Sequence, residues 1–318
     1  MRAAFVLLGR IGDMVLTTPI FSAFKVKYPN AYLCVICSRA NYQIIENNPF
    51  IDEIIIYSKS PLALLKTFLK LKFKCFDYWL DPKDHKSSES QLLAKISRAK
   101  VKIGFNPAGK KIFDVSISSS EDNKDFHFTE RIFKAAESLG IIPNSLKPEL
   151  YESESSRIFA ENLFKGISLP VVFINLSAVN QDRIMSKEKW VEILEVIDFK
   201  RAAAILSYTD REEAAARFLI NKYPEIIDLN KTSLSNIISI ISRCRLVISP
   251  DTSIVHIASA FAVRTLVLYN DLRENFAKFH PLSGNAIVIM EAGIKELEKL
   301  STSKIKEAAL TELKNLLD

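Results

Sequence analysis

Ala3-Ala-Phe-Val-Leu-Leu-Gly-Arg-Ile-Gly-Asp-Met-Val-Leu-Thr-Thr-Pro-Ile-Phe-Ser-Ala-Phe24 contains an apolar run, a turn with two glycines and a helical pattern, in that order. An apolar run without alternation fits a strand buried on both faces, as in parallel sheets covered by helices. The same unit recurs along the chain. Ala3–Leu8, Tyr32–Ile36, Glu53–Tyr57, Tyr78–Leu80 and Val101–Phe105 read as strands, with amphipathic segments between most of them. The alternation restarts at Val171–Leu176 and continues through Ala203–Tyr208, Ile226–Leu229, Leu246–Ser249, Thr265–Tyr269 and Ala286–Met290. Two series predict an α/β chain of two doubly wound domains. The 318 residues suit two domains of moderate size.

The boundary is predicted in Ile142-Pro-Asn-Ser-Leu-Lys-Pro-Glu149, which carries two prolines and follows a helix stopping at Gly140. This gives domains 1–147 and 148–318. The segment from about 293 to 318 is helical by pattern, with Leu297, Leu300, Ile305, Ala309, Leu313 and Leu317 near one face. It is expected to cross back onto the first domain.

Composition narrows the function. Residues 1–150 hold 22 Lys and Arg against 15 Asp and Glu, a net +7, while the rest is −1. A basic first half suits an anionic partner or plain surface solvation. No nucleic-acid motif accompanies the charge, which makes nucleic acid the weakest candidate. No signal peptide and no apolar run of spanning length is visible, so a cytoplasmic location is expected, with at most attachment at a membrane surface. Cys34 and Cys37 form a C-x-x-C inside the run Ala31–Cys37, which reads as strand core, not as a redox turn.

In open parallel sheets, ligands bind beyond the carboxyl ends of the strands, so the residues after each strand are the informative ones. Gly9-Arg-Ile-Gly12-Asp13 has two glycines for a tight turn but lacks the third of the dinucleotide fingerprint, which disfavours a nicotinamide enzyme. Asp13 stands at a helix start, where two readings remain open: a first-turn cap, or a general base. After the strand at Leu246 comes Ser249-Pro-Asp-Thr-Ser-Ile-Val-His256. The free N–H groups of that helix start suit a phosphate. Thr252 and Ser253 add hydroxyls, Asp251 can accept from sugar hydroxyls, and His256 lies one turn on. Simple capping and a core histidine explain the same residues. After Val171–Leu176, the loop Ser177-Ala-Val-Asn-Gln-Asp-Arg183 offers a guanidinium fork that matches two phosphate oxygens. Lys187 and Lys189 read as solvated, and Trp190 as core.

Together these segments resemble glycosyltransferase family 9, the heptosyltransferases. The residues that carry the resemblance are Gly9–Asp13 with Thr17-Thr-Pro19, Tyr78-Trp-Leu-Asp81, Lys102-Ile-Gly104, the Arg183 loop before Trp190, and Asp251-Thr-Ser-Ile-Val-His256-Ile-Ala-Ser-Ala260. The resemblance implies a GT-B architecture, two Rossmann-like domains with an interdomain cleft, acceptor on the first and nucleotide sugar on the second. It implies inverting transfer of a heptose from ADP-heptose to the lipopolysaccharide core, with Asp13 as catalytic base. Ser177, Arg183, Asp251, Thr252, Ser253 and His256 would hold the donor. Arg10, Lys83, His85 and Ser87 would meet an anionic glycolipid acceptor. No cofactor is expected, and no metal, since the chain has no Asp-x-Asp. Alternatives are a same-family enzyme with another nucleotide sugar, and a binding module without turnover. The segment Leu62–Phe76, with Lys66, Lys70 and Lys74 beside Leu62, Leu65, Phe68, Leu69 and Phe76, reads either as an ordinary surface helix with snorkelling lysines or as a membrane-resting one.

Overall fold

The computed structural model describes residues 1–229 and 231–317; the side chains of 61–63 and 317, and so of Leu62 and Leu317, lie outside it. The chain divides into two compact units: Met1–Tyr151 with Ala277–His280, and Glu152–Phe276 with the segment from Pro281 on.

The first unit has strands β1 (Arg2–Leu7), β2 (Tyr32–Ser38), β3 (Glu53–Tyr57), β4 (Cys75–Leu80), β5 (Arg98–Gly104) and β6 (Val115–Ser116). They form one parallel sheet in the order β3-β2-β1-β4-β5-β6. Its helices are α1 (Ile11–Thr17), α2 (Pro19–Lys27), α3 (Pro61–Lys72), α4 (Ser88–Ile96) and α5 (Phe128–Ala135). The second unit has α6 (Glu154–Phe164), β7 (Val171–Asn175), α7 (Lys187–Leu194), β8 (Ala203–Ser207), α8 (Glu213–Lys222) and β9 (Ile227–Asp228). It continues with α9 (Leu234–Ile241), β10 (Leu246–Pro250), α10 (Ser253–Ala260), β11 (Arg264–Leu268), α11 (Arg273–Phe279), β12 (Ala286–Ile289) and α12 (Thr302–Leu317). The order β12-β11-β10-β7-β8-β9 is again all parallel. In both sheets the strand order therefore reverses between the unit's first and fourth strands. That switch point is where an open α/β sheet leaves room for a ligand.

The expected α/β class and all eleven predicted strands are present. β6 was missed: two exposed residues, Val115 and Ser116, pair with Ile103 and Gly104, too short a run for any periodicity. The central strands are apolar on both faces because helices cover both; β10 and β7 are buried at every position. Cys34 and Cys37 are fully buried in β2, and burial pushes both thiols up to about 12, as core residues and not as thiolates.

The terminal helix corrects one expectation. α12 packs into the core of the second unit. Ile305, Ala309 and Leu313 join Leu297 and Leu300 in the same core cluster as Trp190, Ile193 and Leu194 of α7. The apolar stripe has a partner nearer in its own unit. Lys189 also departs from its solvated reading. It is buried, and its Nζ donates to the carbonyls of Glu298 (2.7 Å) and Leu300. The turn before α12 supplies carbonyls that a buried ammonium can satisfy, while Trp190 is core as expected.

Candidate functional site

At the switch point of the first unit, β1 ends in Gly9-Arg10 and α1 begins. The Asp13 carboxylate folds back and accepts from the Arg10 backbone N–H at 3.0 Å. A Cβ on Gly9 would stand 2.7 Å from Asp13 Oδ2, so the turn needs glycine for close approach to the carboxylate. Thr17 Oγ1 donates to the Asp13 carbonyl at 2.6 Å. Asn41, fully buried, braces the turn: its Nδ2 donates to the carbonyls of Leu7 (3.1 Å) and Gly9 (3.0 Å), and its Oδ1 accepts from Ser38 N–H. Sequence reading missed Asn41, because its task is to hold a strand end more than thirty residues away.

A cavity of about 550 Å³ opens at this point, with Asp13, Arg10, Lys83 and His85 among its walls. Three of the four proposed acceptor residues are therefore gathered beside Asp13. Ser87 is not: it caps α4, its hydroxyl facing Ser90 N–H at 3.5 Å, away from the cavity wall. Its hydroxyl is instead taken up in capping the helix that begins at the next residue. Asp84 and Arg131, unnoticed in the sequence, form a buried ion pair at 3.1 Å in the same wall, and His85 Nδ1 lies 3.1 Å from the other Asp84 oxygen. Arg131 also donates to the carbonyls of Phe126 and Lys124, so each of its three guanidinium nitrogens has a partner.

Two buried titratable groups flank this wall with opposite shifts. Burial raises Asp81, at the end of β4, to about 6, although Ser90 and the Lys83 N–H donate to it. Burial and the neighbouring His280 lower His127 to about 4; it caps α5 by accepting from Thr129 N–H, and its Nε2 faces the His280 carbonyl. Their effects on stability oppose each other. For His127 the unfolded chain holds the proton between about pH 6.5 and 4 and the folded chain does not, so stability falls as pH falls. For Asp81 the folded chain holds the proton between about pH 3.8 and 6, so stability is greatest below that range and falls as pH rises through it. Each shift corresponds to about 3 kcal/mol, so the two nearly cancel. Asp81→Asn keeps the acceptor for Lys83 and should raise stability near neutrality by about 2–3 kcal/mol. It should also expose a steep acid loss due to His127. Denaturant unfolding of wild type and variant at neutral and mildly acid pH checks both signs.

At the second unit's switch point, Asn175 ends β7 and ties three loops together. Its Nδ2 reaches Ser249 Oγ (3.0 Å), Thr252 Oγ1 (3.3 Å) and the Ser177 carbonyl (3.0 Å), and Ser177 Oγ donates back to its Oδ1 at 2.8 Å. A polar residue ending a fully apolar run was the available signal. Thr252 caps α10, accepting from Ile254 N–H, and Ser253 is its first residue. His256 is buried one turn in. Asp251 is buried, with Oδ2 2.9 Å from Arg183 Nη1 and 2.9 Å from Asn275 Nδ2. Arg183 Nη1 also donates to the Asp251 carbonyl at 2.7 Å. Burial pushes the Asp251 carboxyl up, while Arg183, Tyr269 and Asn275 restrain it. Arg183 and Asp251, assigned separate tasks from sequence, are one buried ion pair. Arg183 Nε is buried and meets no acceptor among the described residues. Among those residues no group of three His, Cys, Asp or Glu forms a metal donor set, and no helix is long and apolar enough to cross a membrane.

Two parallel six-stranded units with their polar loops at matching switch points define a GT-B fold, and solved structures of that class agree. A glycosyltransferase family 9 structure from Veillonella parvula superposes with a TM-score of 0.87 at 18% identity, covering 99% of this chain and 97% of that one. The E. coli heptosyltransferase WaaC with ADP gives 0.80 at 17%, covering 98% and 100%. E. coli ADP-heptose lps heptosyltransferase II gives 0.80 at 16%, covering 99% of both. No curated protein matches the chain in sequence. The family model for glycosyltransferase family 9 (heptosyltransferase) matches residues 64–309, and the chain belongs to that family. The resemblance to this family is thereby borne out, and the protein is a glycosyltransferase by family.

Proposed function

We propose that the chain moves a heptose from ADP-heptose onto the lipopolysaccharide core with inversion at the anomeric carbon. Asp13 takes the proton from an acceptor hydroxyl as that oxygen bonds to the anomeric carbon. The bond from that carbon to the diphosphate oxygen breaks, and the diphosphate leaves with the electron pair. Arg183 and the N–H groups at the start of α10 meet the charge that develops there. Ser177, Thr252 and Ser253 hold phosphate and sugar oxygens, and Asp251 and His256 orient them. In this reading cationic and dipolar groups do the electrostatic work, with no metal ion or cofactor.

The observation that carries the reading is the Arg183 guanidinium. One nitrogen is fixed on Asp251, and the buried Nε–H has no acceptor among the described residues. A buried donor left unsatisfied costs about 1–3 kcal/mol, which a bound diphosphate oxygen would recover. The choice of ADP follows the similar E. coli proteins, a heptosyltransferase solved with ADP and an ADP-heptose heptosyltransferase. A thermal-shift panel with ADP, ADP-heptose, UDP, UDP-sugars and GDP tests it. At about 100 times its dissociation constant a ligand adds about 2.7 kcal/mol. Selective stabilisation by ADP and ADP-heptose supports the donor. Stabilisation by UDP or GDP alone replaces it, and no response to any nucleotide favours a module without turnover.

The acceptor is read as an anionic glycolipid, which places the protein at the cytoplasmic face of the inner membrane. α3 suits that contact. Thr67 and Leu71 face inward and are buried, while Leu65, Phe68 and Leu69 are exposed and Phe73, just past the helix, is 78% exposed. Lys66, Lys70 and Lys72 border this stripe, all exposed. Lys74 does not, since it lies beyond the helix and pairs with Glu53 at 2.7 Å. Apolar side chains ringed by lysines complement an anionic bilayer surface. Flotation with vesicles containing anionic lipid should recover the protein, and neutral vesicles or high salt should not. Phe68→Ser with Phe73→Ser removes about 1.5–3 kcal/mol of apolar transfer per residue, so vesicle partition should fall about 100-fold while the melting temperature holds. Equal flotation of the double variant rules this face out.

A further inference from the structure

Lys278 lines the same cavity as Asp13, within the first unit, and is half-buried. Among the described residues its ammonium makes no hydrogen bond and no ion pair. Asp84 and Asp13 lie close enough to favour its charge, but neither is in ion-pair contact with it: Asp84 pairs with Arg131 and His85, and Asp13 accepts from the Arg10 N–H. Two aromatic rings lie beside it. Nζ lies 5.1 Å from the Phe279 ring centroid and 5.7 Å from that of Phe128. Those rings stack on each other at 5.5 Å, and both line the cavity. A ring face steadies an ammonium without using its three N–H donors. Burial and Arg131 lower the Lys278 pKa more than Asp84 and Asp13 raise it, so burial of the charged form is only partly compensated. The wall carries four cations, Arg10, Lys83, Arg131 and Lys278, against the carboxylates of Asp13 and Asp84.

We propose that Lys278 is the acceptor-recognition residue of this cavity and binds the anionic group of an acidic sugar whose ring C–H face lies on the Phe128–Phe279 pair. The anion on Lys278 then sets which hydroxyl faces Asp13. An acceptor without that anion loses its register in the cavity, so Lys278 governs specificity without taking part in the proton transfer. Calling the occupant an acceptor rests on the transferase reading; the anion site itself does not.

Acylation footprinting on the wild-type protein tests this. Lysines are labelled with an acetyl N-hydroxysuccinimide ester and read by peptide mass spectrometry. The additions are a hexuronic acid, a hexose 6-phosphate, the neutral hexose and inorganic phosphate. Acidic sugars at about ten times their dissociation constant should slow labelling of Lys278 about tenfold, leaving surface lysines unchanged. The carboxylate and phosphate arms report which anion fits better. The neutral hexose and inorganic phosphate should protect weakly, since each lacks one half of the recognition. Lys278→Met should lose the thermal shift given by acidic sugars and keep that given by the donor nucleotide. No protection by either acidic sugar, or equal protection by inorganic phosphate, overturns the proposal. The nucleotide response of the same samples separates the two readings. If it is present while protection fails, only the Lys278 assignment falls; if it is absent while protection holds, the transferase reading falls.

Discussion

Asp13→Asn is expected to lower sugar transfer about 10²–10⁴-fold, the usual worth of a positioned general base. An amide keeps an oxygen to accept from the Arg10 N–H, now held at 3.0 Å by the carboxylate, so the turn into α1 should survive. Donor-nucleotide binding, read by thermal shift, should be unchanged. Asp13→Ala should be as inactive and also less stable by about 1 kcal/mol, through loss of the cap. This separates the two tasks that sequence left open for Asp13, since capping and proton transfer use the same carboxylate but only one needs its charge. Gly9→Ala offers a second approach. Its new Cβ would stand 2.7 Å from Asp13 Oδ2 and must displace it. Turnover should fall with the acceptor KM little changed, and a higher KM with normal turnover would argue against Asp13 as base. Full activity of Asp13→Asn removes it from the mechanism altogether.

What could be read in the sequence was whatever is written in consecutive residues. Apolar runs such as Val171–Asn175 and Leu246–Pro250 give parallel strands, because both faces of each strand are covered. The order of strands then brings their ends to the switch points, so Gly9–Asp13 and Asp251–Ser253 were found by position before any contact was known. Long-range pairing left no such mark. Arg183 and Asp251 are 68 residues apart and their carboxylate–guanidinium contact depends on β7 and β10 lying side by side. Asn41 supports the Asp13 turn from the end of another strand. Lys278 comes from a helix late in the chain, yet its segment clusters with the first unit, so no local pattern linked it to Asp13. α12 shows the same limit from the apolar side: its stripe was plain, but a stripe does not say which sheet covers it.

Arg183→Met should remove donor binding and lower stability together, and the two losses can be separated. Taking one partner from a buried ion pair leaves the other charge uncompensated, at a cost of about 3–5 kcal/mol. The charge left behind is Asp251, whose carboxyl is already pushed up by burial and restrained by Arg183. Without Arg183 its folded pKa rises further above the unfolded one. The folded chain then holds the proton over a wider range, so stability is retained at low pH and lost as pH rises through the folded pKa. The deficit of Arg183→Met against wild type should therefore be largest at and above neutral pH and shrink on acidification. Adding Asp251→Asn to Arg183→Met removes the stranded charge and should restore most of the stability, a coupling that the two single variants and the double one measure directly. Nucleotide binding should not return with it. A transition-state donor to a developing oxyanion is worth about 10²–10³ in rate, and in the proposed mechanism the Arg183 Nε–H, buried with no acceptor among the described residues, is that donor. If the double variant regains both stability and nucleotide response, Arg183 is a structural partner of Asp251 and the diphosphate is held elsewhere in the second unit. If it regains stability alone, the ion pair serves to aim the guanidinium, and its cost in burial is met only when the donor is bound.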